Sequence, residues 1–441
     1  MCRAIGADAE SHSEKPATAA DAMTSLTTAA SSHLTADIER PIIRAWQRRA
    51  LWLVGISGSI VFIEPSPYEA AIFLTMIFFV VTGLKFSPPL LVPCALLIVL
   101  NAGYAIGAVP LMNEQDVVFW ILTSCYMAVT AVFFALVMLE DTKERLDALS
   151  RGYVIGAVIA SLAGIAGYFN LIPGATDLLT FGHRARGTFK DPNVLGAFLV
   201  YPAVYCMLQI IESPFWKAVR NAIPLCIISL AIFLAFSRAA WATFVGASII
   251  TCVLLYLTAT TRQRRMKIVA LVLAAAILAA LAVVFMLSFS STAELFSERA
   301  SLHQPYDSGR FGRFGRHILG AIMALDYPFG IGPLQFRTFF PEDTHNSFLN
   351  AFMSGGWLSG VVYPALIFST VIYAVRGLFL RTPWRSLYII VFATFFVTMC
   401  ESFIIDTDHW RHYFLLVGTI WGTLIAGYKL NARRTSHPSV D

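Results

Sequence analysis

The chain has 441 residues, of which 57% are hydrophobic and only 13% charged, with a formal net charge of +5. Soluble domains average about 25% charged residues, so the multidomain soluble organisation that this length otherwise suggests is excluded. The chain reads as a polytopic membrane protein, and the placement of its charges matters more than their sum.

Residues 1–39 are polar and rich in Ala, Ser and Thr, without an apolar stretch of signal-peptide type. They read as part of a disordered cytoplasmic tail that extends to residue 46. A hydrocarbon core of about 30 Å needs roughly 20 apolar residues in a helix. About twelve segments qualify: 47–63, 69–86, 90–109, 117–139, 152–170, 194–211, 221–236, 239–259, 267–289, 347–375, 386–405 and 411–428. Helices satisfy their own backbone in lipid, so the expected fold class is all-α, with a transmembrane domain over 47–428. A long loop over 290–346 interrupts it, and 429–441 form a second cytoplasmic tail. Cys94, Cys125, Cys206, Cys226, Cys252 and Cys400 fall inside apolar runs and Cys2 in the tail, so a disulfide framework is not indicated.

Orientation follows from the basic residues of the short loops. With the N-terminus inside and the segments alternating, most of the 32 Lys and Arg fall on the cytoplasmic side. Both termini are then cytoplasmic. The cations left on the opposite face are Arg184, Arg186, Lys190, Arg238, Arg299, Arg310, Arg313, Arg316, Arg337 and Arg411, all but one of them arginine. Arginine on that side runs against the usual bias. Its planar donor fork suits phosphate, so the pattern suggests an anionic ligand. The acids of the long loop, Glu294, Glu298, Asp307, Asp326, Glu342 and Asp343, offer its arginines intramolecular partners instead.

Four stretches carry these cations or lie beside them. In "RARGTFKDPNVLGAF", Arg184 to Phe198, Asp191 followed by Pro192 and Asn193 is a helix-start signal, whereas Arg184 and Arg186 call for an anion or water. In "FSRAAW", two spans meet with almost no loop, which holds Arg238 at the membrane face. An arginine so placed is a functional candidate unless it snorkels to the interface. In "SGRFGRFGRHILG", Arg310, Arg313 and Arg316 alternate with Phe311 and Phe314. If helical, the segment is an amphipathic element able to lie on the outer leaflet. In "PEDTHNSFLNAFMSGGWLSG", His345 sits where the long loop meets the next span, with Asn346 and Ser347 able to cap that helix. A neutral imidazole near pH 7 is a competent general base. Farther on, "ESFIIDTDHWRHY" adds Asp406, Asp408, His409, Arg411 and His412, a mixed-charge rim or supporting layer. No P-loop, dinucleotide fingerprint, zinc spacing or nucleophile elbow is present.

In this order, the R-x-x-G-T-F-x-x-P-N loop at 184–193, the S-R-A turn at 237–239, the arginine-rich loop followed by D-x-P-x-G-I-G at 326–332, and the H-N-S-F at 345–348 resemble the O-antigen ligase/polymerase superfamily. The resemblance covers roughly residues 50–425. It implies a bacterial inner-membrane glycosyltransferase whose active face is periplasmic. Its donor would be a glycan linked to undecaprenyl pyrophosphate and its acceptor a glycan or lipid A–core. It implies no cofactor and no metal, an inverting displacement, and possible cooperation with other polysaccharide-assembly proteins. By the same resemblance, Arg184 or Arg186, Arg238, and one or more of Arg310, Arg313 and Arg316 would bind the pyrophosphate. His345 would be the general base, supported by Asn346, Asp191, Asn193 and Arg411. A ligase moving a finished chain and a polymerase extending repeat units both fit. A flippase of lipid-linked glycans is a reading from another class. It expects ionisable residues deep in several spans and inverted repeats, and neither is seen.

Overall fold

The computed structural model describes residues 41–63, 65–300 and 307–436. Most of the expected N-terminal tail, residues 301–306 of the long loop and the last five residues lie outside this set. The chain divides into two units, Met1–Gln47 and Arg48–Asp441. Of the first, residues 41–47 are described and helical. In the second, residues 48–57 are helical, and fifteen further helices follow among the described residues.

These are α1 (Pro67–Thr82), α2 (Leu91–Ala108), α3 (Gln115–Val137), α4 (Thr142–Tyr168), the short α5 (Thr176–Leu179), α6 (Pro192–Glu212), α7 (Phe215–Leu234) and α8 (Arg238–Thr258). Then come α9 (Arg262–Met286), α10 (Ser290–Ala300), α11 (Arg313–Asp326), the short α12 (Phe336–Phe339), α13 (Ser347–Gly377), α14 (Arg385–Glu401) and α15 (Arg411–Ser436). A hairpin of two two-residue strands, β1 (Thr180–Phe181) and β2 (Arg184–Ala185), pairs antiparallel between α5 and α6. The expected all-α class therefore holds apart from this hairpin.

Each of the twelve expected segments overlaps a helix, but not all are equal. Among the described residues, nine helices are long and apolar enough to cross a membrane. The segments expected at 47–63, 69–86 and 386–405 correspond to shorter helices: residues 48–57 in the second unit, the 16-residue α1 and the 17-residue α14. In all three the helix stops before the apolar composition does. Burial separates the centre from the rim: 83% of the apolar stretch of α15 and 78% of that of α6 are buried, against 6% for α9. Helix α6 touches α4, α7, α8 and α14, while α13 lies along α2 and α15 along α3.

Three local devices set the backbone on which the polar side chains are mounted. Asp191 accepts the Asn193 amide at 2.6 Å and Pro192 opens α6, an N-cap with a ring that pre-sets the first helical φ. Gly187 has φ +55° and lies against the Ala160 carbonyl, a close backbone approach that a side chain would obstruct. Helix α13 is broken inside its apolar run at Gly355 and Gly356. The break leaves backbone groups that the "DYPFGIG" loop satisfies. The Ile331 and Gly332 amides donate to the Met353 carbonyl at 2.8 and 3.2 Å, and the Trp357 amide donates to the Pro328 carbonyl at 2.9 Å. Irregular backbone in an apolar segment survives where protein supplies such partners. Gly356 is part of this break, and Gly360, four residues on, abuts the Phe352 ring from the part of α13 before it.

Candidate functional site

The site forms where the N-terminal turns of α8, α11 and α13 meet the segment before α15. Ser237 caps α8 by accepting the Ala240 amide at 3.3 Å, which fixes Arg238 in the first turn. Arg238 Nη2 lies 2.6 Å from Asp307 Oδ2, and Arg313 Nε lies 3.4 Å from Asp307 Oδ1. One carboxylate thus joins two arginines from different elements.

Helix α11 is amphipathic with an unexpected polarity. Phe311 just before it and Phe314, Ile318, Ile322 and Leu325 along it are exposed, whereas Arg316, Gly320 and Ala324 are buried. The apolar stripe fits the expected membrane-lying element, but one of the three arginines points into the protein. Arg316 is only 2% exposed, and a buried guanidinium requires a partner. Its Nη2 reaches Glu342 Oε2 at 2.6 Å, and its Nη1 donates to the Phe311 carbonyl at 3.2 Å. Arg310 lies outside the helix, exposed, with its guanidinium 5.7 Å from the Phe311 ring centroid. The glycines of the triplet explain this split: the chain turns through Ser308–Gly312 before helix α11 begins at Arg313.

His345 sits between two carboxylates. Its Nε2 lies 3.8 Å from Glu342 Oε2 and its Nδ1 lies 3.5 Å from Asp406 Oδ2. Glu342 therefore faces both Arg316 and His345. Asp406 also organises the turn that carries the histidine. It accepts the Thr344 hydroxyl at 2.8 Å and the amides of His345 and Asn346 at 3.1 and 2.9 Å. The turn holds His345 at φ +47°, a region that non-glycine residues seldom occupy and that recurs at functional sites. Asn346 is the N-cap of α13, its side-chain oxygen accepting the Phe348 and Leu349 amides, both at 3.0 Å. His317, one residue beyond Arg316, donates from Nε2 to the Thr344 carbonyl at 2.9 Å. Burial lowers its pKa below the usual imidazole value, so it stays neutral at neutral pH.

The remaining expected residues divide. Arg184 lies at the same corner as Arg238. Its Nε donates to the Ala235 carbonyl at the end of α7 and its Nη2 to Asn193 Oδ1, both at 2.8 Å. This is a cation capping a helix C-terminus, and it brings Asn193 and Arg184 together. Arg186 turns away, donating to the Leu178 and Asp177 carbonyls at 3.2 and 2.9 Å. Asp191 is engaged as the cap of α6. Arg411 pairs with Glu69 of α1 at 2.5 Å and lies over the Tyr68 ring. It ties α15 to α1 rather than reaching His345. Asp307, Glu342 and Asp406 were visible in the sequence only as loop acids and rim residues. Nothing in their local spacing assigns each to its cationic or imidazole neighbour.

Beside His345 lies a cavity of about 420 Å³, with Asp406 on its wall. His345 does not line this cavity itself; it meets Asp406, which does, while its other ring nitrogen faces Glu342, the partner of Arg316. Such a pairing can remove a proton from one molecule while holding the negative charge of another.

Residues 223–363 match the family described as O-Antigen ligase. The matched span holds Arg238, Arg310, Arg313, Arg316 and His345, while Arg184, Asn193 and Asp406 lie outside it. No curated protein matches the chain. The match supports the O-antigen ligase/polymerase superfamily and a role of that type in surface polysaccharide synthesis. With the apolar helices, it makes the chain a multi-pass membrane protein.

Proposed function

We propose that the protein transfers a glycan from undecaprenyl pyrophosphate to an acceptor hydroxyl at the periplasmic face of the bacterial inner membrane, as an O-antigen ligase. The observation that carries this reading is the position of His345 between Glu342 and Asp406, with Arg316 bound to the first of these carboxylates.

His345 accepts the proton of the acceptor hydroxyl as the oxygen attacks the anomeric carbon. The new carbon–oxygen bond forms on the face opposite the leaving group, and the bond to the pyrophosphate oxygen breaks. Its electron pair leaves with undecaprenyl pyrophosphate, so a single displacement inverts the anomeric centre. Negative charge grows on the leaving group in the transition state. Arg238, Arg313 and Arg316 stabilise it most when already fixed in place. Asp307 and Glu342 hold these arginines until the pyrophosphate replaces them as partner. Arg184 supports the same corner through Asn193 and Ala235, while Arg186 and Arg310 act outside it.

Reconstitution in bilayer discs with purified lipid-linked oligosaccharide tests the reading. Ligase activity moves the oligosaccharide to added lipid A–core. Lengthening of the lipid-linked chain instead identifies a polymerase, the second reading that the family supports. Absence of both reactions in a folded preparation rejects glycan transfer.

A further inference from the structure

The acceptor must approach His345 from somewhere, and the charges around the histidine are segregated. Arg238, Arg313 and Arg316 lie on the Asp307 and Glu342 side. The cavity on the Asp406 side has four carboxylates on its wall, Asp116, Asp343, Asp406 and Asp408, and among the described residues no lysine or arginine lines it; Arg337 at its edge is taken up by Asp343, which leaves the wall acidic on balance. An anionic pyrophosphate is repelled there. A neutral polyol is not, since its hydroxyls donate well to carboxylates.

The wall has the chemistry of a sugar site. Asp408 accepts the Asn350 side-chain amide at 2.8 Å, and Ser354 Oγ donates to Asn350 Oδ1 at 3.1 Å. This fixes a row of polar groups along the first turns of α13. The row faces an aromatic surface. Trp120 meets Tyr104 edge-on, with centroids 4.9 Å apart, and His409 at 4.1 Å in a tilted contact. Trp120 remains partly exposed and lines the cavity. His409 Nε2 is buried and has no hydrogen-bond partner among the described residues. A volume of about 420 Å³ falls in the range of small-molecule sites, about 300–1,000 Å³.

We infer that this cavity is the acceptor subsite, holding neutral sugar residues of the acceptor glycan against Trp120, with Asn350 and Asp408 bonding their hydroxyls so that one hydroxyl is presented to His345. The inference rests on the proposed glycan transfer. It assigns the site to the acceptor and not to the donor.

The test is a two-substrate kinetic analysis in bilayer discs. Lipid-linked oligosaccharide is the donor, and the acceptor is lipid A–core or a second lipid-linked oligosaccharide, whichever the wild type uses. Trp120→Ala and Asn350→Ala are expected to raise the acceptor KM about tenfold and leave the donor KM within twofold. Trp120→Phe, which keeps a stacking face and controls for folding, is expected to recover most of the acceptor affinity. A rise in donor KM with acceptor KM unchanged, or no change in either, overturns the assignment. Failure of the wild type to transfer to any acceptor overturns the proposed function itself and is distinguishable from both.

Discussion

At the scale of single residues, the roles proposed for His345 and Arg238 can be tested separately. His345→Ala removes the proton acceptor while leaving the Asn346 cap of α13 in place. General-base removal costs roughly 10²–10⁴-fold in rate. We expect transfer to fall by that order at unchanged protein level, measured as glycan moved per minute in bilayer discs; near-normal rates would strip His345 of its role. Arg238→Lys keeps a positive charge next to Asp307 and so preserves the local ion pair, but it loses the planar fork that grips a phosphate in two places. The expected outcome is a donor KM raised about tenfold, equivalent to about 1.4 kcal/mol. An unchanged donor KM would mean that the charge alone suffices, or that Arg238 only snorkels. Both residues stand out in the sequence because each sits in a short motif at a span boundary. Asp307 and Glu342 are legible there as partners of the loop's arginines, which Arg313 and Arg316 bear out, but not which acid meets which arginine, and nothing ties Asp406 to His345. Asp406 lies 61 positions from His345 in the chain, and an acid in a polar loop reveals nothing about its partner until the loop closes. The three arginines of the long loop show the same limit: a spacing of three cannot place them all on one narrow face, but it does not say that Arg316 is the buried one and Arg310 the exposed one.

At the scale of elements, the broken helix α13 links the loop chemistry to the scaffold. Its first part carries Asn350 and Ser354 beside the cavity, and its break receives the Pro328–Gly332 loop that follows α11. Gly356 adopts φ +63° and ψ −157°, and a Cβ there would collide with the Pro328 carbonyl and Phe329. Backbone in such a region costs a non-glycine residue about 1–3 kcal/mol. Gly356→Ala is therefore expected to lower the thermal midpoint of the detergent-solubilised protein by several degrees. A midpoint equal to wild type would show that the break relaxes into continuous helix at no cost. Hydropathy located the apolar segments because lipid demands long apolar runs whatever the helices pack against. It missed this break because the residues around it, from Ala351 to Tyr363, stay apolar or small throughout. Likewise it extended α1 over 83–86, which are irregular, and α14 over 402–405, which turn.

At the scale of the whole molecule, the site's function depends on which face of the membrane it occupies. Helix α9 supplies the ruler. Its 25 residues span about 38 Å at 1.5 Å per residue, more than the hydrocarbon core of about 30 Å, and its flank is almost wholly unburied by protein. Its N-terminal turn carries Arg262, Arg264, Arg265 and Lys267, whereas the arginines of the long loop follow its other end. By the positive-inside bias the basic turn is expected in the cytoplasm, and the periplasmic placement proposed for the site rests on that expectation. Gln263 in that basic turn and Thr338 in α12 of the long loop are both exposed. In a cysteine-free background, Thr338→Cys is expected to react with a membrane-impermeant maleimide in cells whose outer membrane alone has been opened. Gln263→Cys is expected to react only after lysis. The reverse pattern would place the arginines in the cytoplasm, where nucleotide-activated sugars are available and a lipid pyrophosphate donor would no longer be required. Labelling of both positions in unlysed cells would mean that α9 does not cross the bilayer, and the assignment of its two ends to opposite faces would fall with it.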